Sequence, residues 1–290
     1  MWQILALNSA VFSALAAVTE KKVLLKSQPL VFSLILSAFT LGLTIPLLFW
    51  VDFAALSSFN LLVLLGKSIL GSIAFLLVMN GLKRLEISSS LPLLVLTPGV
   101  VAIFAYILLN EPLSNRDIFG MLFLLSGTYV LQIRKNSSLL EPFLFVKKNN
   151  AYLYILGAIL LFTTTSILDK ALLSTYQLQP EAFLPFQQFF YTITFLIIFL
   201  LTKKKTSAIK EHINHSWKWI LLIAVFAVIY RYSHILAVKA GPVALVLSMK
   251  RTSVFFATII GGQIFREKNL LRKTLAVVIM ITGAILVILS

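Results

Sequence analysis

Val243–Phe265 reads VALVLSMKRTSVFFATIIGGQIF, an apolar run without proline that is long enough to cross a bilayer as a helix. Two adjacent cations, Lys250 and Arg251, stand inside it. At 1.5 Å rise per residue they lie roughly 12 Å below the nearer membrane surface. A charge at such depth costs about 2.5–3.5 kcal/mol even on the lenient insertion scale. The pair therefore needs protein partners or a wet cavity, and the rest of the chain has to provide one or the other.

Soluble domains are about half apolar and a quarter charged. This 290-residue chain is 59% hydrophobic and 12% charged, more apolar surface than a soluble core can hide. The class is a polytopic membrane protein, with the lipid bilayer as its first partner. A net charge of +15 would otherwise raise the question of nucleic acid. The basic residues instead fall in short clusters between apolar runs, where the positive-inside rule puts them, so no nucleic-acid partner is expected. The chain has no cysteine, which rules out a disulfide framework and any cysteine metal or redox site. No cofactor or metal is expected. Ile4–Val18 has the length of a signal-peptide apolar region, but no Lys or Arg precedes it and Glu20-Lys21-Lys22 follows it. It is expected to remain as a first helix.

Ten spans fit the pattern, at about 3–19, 29–50, 61–81, 87–109, 117–133, 151–168, 181–201, 217–238, 243–265 and 273–289. In lipid each backbone group must bond within its own segment, and the alternation of barrel strands is absent, so the fold is all-α. The loops on one side carry 18 Lys and Arg, against Arg116, Lys170 and Lys239 on the other. By the positive-inside rule the charge-rich side is cytoplasmic and both termini lie outside. Shifting the chain by 156 residues lays Lys83 on Lys239, Ile103 on Ile259, Glu111 on Glu267, Arg116 on Arg272 and Gly127 on Gly283. A shift of 149 lays Glu20-Lys21 on Asp169-Lys170. The reading is an all-α integral membrane protein with ten transmembrane helices as two inverted five-helix repeats, residues 1–135 and 151–290. A basic linker, 136–150, joins them. Five spans per repeat forces the halves to insert in opposite senses, a plan that places transporter sites between repeats.

LLNEPLSNRDIFGMLFLLSGTYVL (108–131) and its second copy IFREKNLLRKTLAVVIMITGAILV (264–287) carry a family likeness. Each is an apolar helix end, a Glu, a short turn and a helix with a late Gly. MNGLKRLEISSS and LAVKAGPVALVL precede them. In these segments the chain resembles the drug/metabolite transporter superfamily, specifically its EamA-like ten-helix family, over essentially its whole length. The resemblance implies solute transport and cytoplasmic termini, the latter opposite to the charge count. Motifs of the nucleotide-sugar branch are not evident. Lys250-Arg251 also resembles the Lys-Arg pair with which plastid sugar-phosphate translocators grip a phosphate.

All ten acidic residues fall in loops or near span ends, so the bundle interior is expected to hold no carboxylate. That counts against cationic drugs, which need a buried counter-ion. Cations do enter the spans: Lys67, Arg231, Lys250 and Arg251 share one depth, with Gln187, Gln188 and Tyr191 in the same layer and Tyr230, Tyr232 and His234 around Arg231. Substrate-binding candidates are Lys250, Arg251, Arg231, Lys67, Gln187, Tyr191 and Tyr230. Adjacent helix positions differ by 100°, so only one of Lys250 and Arg251 can face a given cavity. Bland readings stand beside these: Lys67 snorkels, Arg231 stacks on a tyrosine, His234 and the glutamines bond neighbouring helices. Glu111 and Glu267 are expected to secure helix ends. Thr97-Pro98-Gly99 is expected to bend the fourth span, and Val254, aligned with Pro98, leaves the ninth without that feature. Gly66, Gly71, Ser72, Gly261 and Gly262 read as close-packing positions.

No GxxxxGK[ST] loop is present, and neither a nucleophile–base cluster nor an HExxH motif suggests an enzyme. The leading expectation is a secondary transporter of a small organic metabolite by alternating access, leaning to an anionic, carboxylate- or phosphate-bearing solute. An exporter of neutral or zwitterionic solutes such as amino acids or drugs is the alternative, and a non-transporting structural or receptor-like membrane protein a remote one. The expected location is a bacterial cytoplasmic membrane; a homo-oligomer is left open.

Overall fold

The computed structural model describes residues 1–24, 28–84, 93–132, 152–202, 207–253, 256 and 270–289. Glu267, Gly261, Gly262 and the linker 136–150 lie outside them. Among the described residues there are ten α-helices: α1 Trp2–Leu24, α2 Pro29–Thr44, α3 Ser58–Arg84, α4 Thr97–Leu109, α5 Asn115–Gln132, α6 Tyr152–Lys170, α7 Pro180–Leu201, α8 Ser207–Ala240, α9 Val243–Lys250 and α10 Leu270–Ile288. Six contain stretches long and apolar enough to cross a bilayer: Trp2–Glu20, Pro29–Trp50, Ser58–Val78, Tyr152–Thr175, Pro180–Leu201 and Ser216–Ala240.

Local chemistry sets several helix ends. Pro29 and Pro180 open α2 and α7, where the missing N–H costs nothing. Ser114 and Asp117 form a reciprocal capping box at the start of α5: Ser114 N–H donates to Asp117 Oδ2 at 2.9 Å, and Asp117 N–H to Ser114 Oγ at 3.2 Å. Asn110, in the left-handed region at φ 51°, closes α4 and turns the chain towards Glu111. A π-helical segment, Ala171–Thr175, carries α6 beyond its expected end at 168.

Helix packing joins one half to the other. The most extensive pairs among the described residues are α5 with α10, α1 with α8 and α3 with α6, followed by α2 with α8, α2 with α7 and α3 with α7. Exchanging the halves turns α1–α8 into α6–α3 and α2–α8 into α7–α3, and leaves α5–α10 and α2–α7 unchanged. The list therefore maps onto itself, as an inverted repeat requires.

Glycines mark the axis. A Cβ on Gly127 would lie 2.5 Å from Met280 Cγ and 2.8 Å from Ala276 O; one on Gly283 would lie 2.7 Å from Gly120 O. The 156-residue shift lays Gly127 on Gly283 and Gly120 on Ala276, so the two contacts are counterparts. Lipid offers no hydrophobic force between helices, and such close backbone approach supplies dispersion instead. Two expected packing glycines divide: Gly71 seats Tyr191, whose hydroxyl a Cβ would meet at 2.7 Å, whereas a Cβ on Gly66 would meet nothing within 4 Å among the described residues.

The fourth span is interrupted as expected. A turn at Val95–Leu96 separates Leu93–Leu94 from α4, and Pro98 lies in the first turn of α4. The ninth span was expected to run unbroken, but α9 ends at Lys250 in a turn at Arg251, whose N–H bonds Ser248 O at 3.0 Å. Hydroxyls take the place of proline there: Ser248 Oγ donates to Ala244 O and Thr252 Oγ1 to Met249 O, back-bonds that bend helices. Val95 plus 156 is Arg251, so the two breaks are counterparts.

Candidate functional site

Two connected chambers lie between the halves. The larger, about 380 Å³, has Glu20, Ser33, Thr40, Phe75 and Gln188 in its wall. Its walls include the end of α1 and the start of α2, so it sits towards the charge-rich face. The smaller, about 170 Å³, is lined by Lys67, Thr165, Asp169, Gln187, His234 and Lys250. Gly71, Phe162, Tyr191, Tyr230 and Arg231 belong to both walls and form the boundary.

Six of the seven candidate residues thus meet at one place: Lys67, Gln187, Tyr191, Tyr230, Arg231 and Lys250. Aromatic faces hold the cations. Lys250 Nζ sits 5.1 Å from the Tyr230 ring centroid, and the Arg231 guanidinium lies 5.6 Å from Tyr191 and 5.7 Å from Tyr230. Each such contact stabilises by roughly 0.5–2 kcal/mol. Tyr232, by contrast, turns away and donates to Glu181 Oε1 at 2.6 Å.

The seventh, Arg251, is not in the wall. Its Nη2 donates to Leu94 O at 3.0 Å. In an unbroken helix that carbonyl would receive the N–H of residue 98, which is proline. Thr97 Oγ1, at 2.7 Å, and Arg251 satisfy it instead. Of the adjacent pair Lys250 faces the chamber and Arg251 braces one broken span against the other, so the expectation that Arg251 contacts solute is not met in this geometry.

A second expectation is overturned. The interior holds carboxylates: Asp169 lines the smaller chamber and Glu20 the larger. Both helices continue past their expected ends at 19 and 168, which brings these acids inside the bundle. Asp169 Oδ1 pairs with Lys67 Nζ at 2.5 Å, and Lys67 is only 2% exposed, its ammonium 4.8 Å from the Phe183 ring centroid. Snorkelling is therefore not how Lys67 is accommodated. The missing-counter-ion argument against cationic groups falls with this pair. Sequence did hold a signal, the alignment of Glu20 with Asp169.

Apart from Asp169 Oδ1, which has its ion pair with Lys67, two polar atoms in these walls lack a hydrogen-bond partner among the described residues: Gln188 Nε2 in the larger chamber and His234 Nδ1 in the smaller. Buried polar groups are usually satisfied, so both are available to a solute or water.

Polar contacts link the elements at the charge-poor end. Glu111 Oε2 accepts from Val243 N–H at 3.0 Å, capping α9, while Oε1 pairs with Lys170 Nζ at 3.0 Å. Lys170 also donates to Val238 O and Gly241 O. Asn60 donates to Tyr176 O, and Asp52 N–H to Gln179 Oε1. Glu111 secures a helix end, as expected.

The family model for the EamA-like transporter family matches residues 1–133 and 149–289. A solved structure, titled only as the crystal structure of a protein, superposes with a TM-score of 0.77 at 14% identity, covering 99% of this chain and 97% of that one. At that identity the likeness is one of fold. Comparison with curated proteins gave no match.

Proposed function

Because the chain belongs to the EamA-like transporter family and is thus a multi-pass membrane transporter of small solutes, we propose that its solute is an organic anion bearing a carboxylate or phosphate. Solute sits where the two chambers meet and is released by alternating access between the inverted halves, in a bacterial cytoplasmic membrane. One observation carries this reading. The smaller chamber gathers three cations, Lys67, Arg231 and Lys250, against one carboxylate, Asp169, which Lys67 already engages. Arg231 and Lys250 lie against aromatic rings and make no ion pair among the described residues, an arrangement an incoming anion completes.

A zwitterionic solute is the second reading, favoured by Glu20 and Asp169, either of which offers a place to an ammonium group. Thermal unfolding of the purified protein against blocks of phosphates, carboxylates and neutral amino acids separates the two. Phosphates or carboxylates are expected to stabilise, with binding at least tenfold weaker in Lys250→Ala and Arg231→Ala. Folded variants that bind as well as the parent sink the anion reading, and stabilisation confined to amino acids selects the zwitterionic one.

A further inference from the structure

The contact between Lys67 and Asp169 has a counterpart that is open. Asp169 lies on α6 and Lys67 on α3. Exchange of the halves converts the α6–α3 pair into α1–α8, and the 149-residue shift lays Glu20 of α1 on Asp169. The 156-residue shift lays Ile223 on Lys67, so the cation is not repeated in register; eight residues further along α8, Arg231 faces the same chamber as Glu20. Those two share one chamber wall, yet no ion pair joins them among the described residues. The closed pair belongs to the charge-poor end, and the open pair lies across the larger chamber towards the charge-rich face.

We propose that Lys67–Asp169 and Arg231–Glu20 are the two members of an alternating ion-pair gate, the first locked and the second open in this conformation, exchanging roles when the carrier turns over. Each pair joins a helix of one half to a helix of the other, so closing one requires the relative movement of halves that opens its counterpart. Low local dielectric makes each contact strong when closed and costly to leave half-made. The gate cations are also two of the three that face the smaller chamber. On the anion reading, which only this step rests on, a bound anion competes with Glu20 and Asp169 for Arg231 and Lys67, loosening the lock it sits beside. Groups that share the chambers with the gate carboxylates are Lys250, Tyr191, Tyr230 and His234.

The absence of native cysteine gives a clean background for sided thiol labelling. Thr165→Cys reports on the smaller chamber and Ser33→Cys on the larger, each probed in sealed vesicles with a membrane-impermeant reagent, without solute. Asp169→Asn is expected to raise labelling of Thr165→Cys from the charge-poor side several-fold and to lower that of Ser33→Cys from the charge-rich side. Glu20→Gln is expected to do the reverse. Shifts of both carboxylate variants in one direction, or no shift in either folded variant, overturn the gate. Should Asp169→Asn not fold, the Glu20→Gln arm decides alone, because Glu20 makes no ion pair with Arg231 here whose loss would strand a charge. A Lys67→Asp/Asp169→Lys exchange, which keeps the pair, should label as the parent does. Inorganic phosphate and a carboxylate panel are then added. If the solute-free shifts hold but no anion alters them, the gate stands and the anion reading falls.

Discussion

Lys67 is a cation with 2% of its side chain exposed, and its position is decided by a single carboxylate. Removing one member of a buried pair strands the other, at about 3–5 kcal/mol, whereas replacing both by apolar groups is often neutral or stabilising. Asp169→Asn should therefore lower stability in this conformation by that order, and Lys67→Met with Asp169→Leu should recover most of it, as read by thermal unfolding in detergent. Recovery of stability without recovery of transport would separate the pair's structural role from its functional one. Half of this pair was legible in the sequence. Lys67 announced itself as a charge inside an apolar span. Asp169 showed only through its alignment with Glu20 and not as an interior charge, because α6 runs on into a π-helical segment and its partner lies on a helix more than 80 residues away.

At the scale of elements, the fourth and ninth spans hold each other at their breaks. Pro98 frees Leu94 O, and Arg251 reaches across to occupy it. Arg251→Ala is expected to cost about 1–3 kcal/mol through the half-satisfied carbonyl, with solute affinity changing far less than in Lys250→Ala. Adding Pro98→Ala supplies the missing N–H and should return part of the stability, a rescue that a solute-contacting arginine would not show. The proline break was visible in sequence because proline acts locally. The break at Arg251 was not, since Ser248 and Thr252 are compatible with a straight helix and bend it only through the back-bonds they form. Which neighbour of the Lys250-Arg251 pair faces the chamber depended on that bend, which 100° steps along an ideal helix do not contain.

For the whole molecule, the repeat was readable as a pattern of charges and glycines, but the way the halves interleave was not. The principal helix pairs run between halves rather than within them. Expressed alone, residues 1–135 or 151–290 should give no sharp unfolding transition, whereas the two co-expressed as separate chains should associate and bind solute as the intact protein does. A cooperative transition from either half alone would show that this packing is not what holds the bundle. The glycine-lined contact of α5 with α10 has a consequence for biosynthesis. α10 begins at Leu270 and α5 ends at Gln132, so α5 waits in the membrane, without its main partner, for a long stretch of chain to be made. α1 likewise waits for α8. The early spans must therefore persist as separately inserted helices in lipid, and the glycine seam closes only after α10 has been inserted. A truncated product lacking α10 is thereby left with the Gly120 and Gly127 face of α5 bare to lipid.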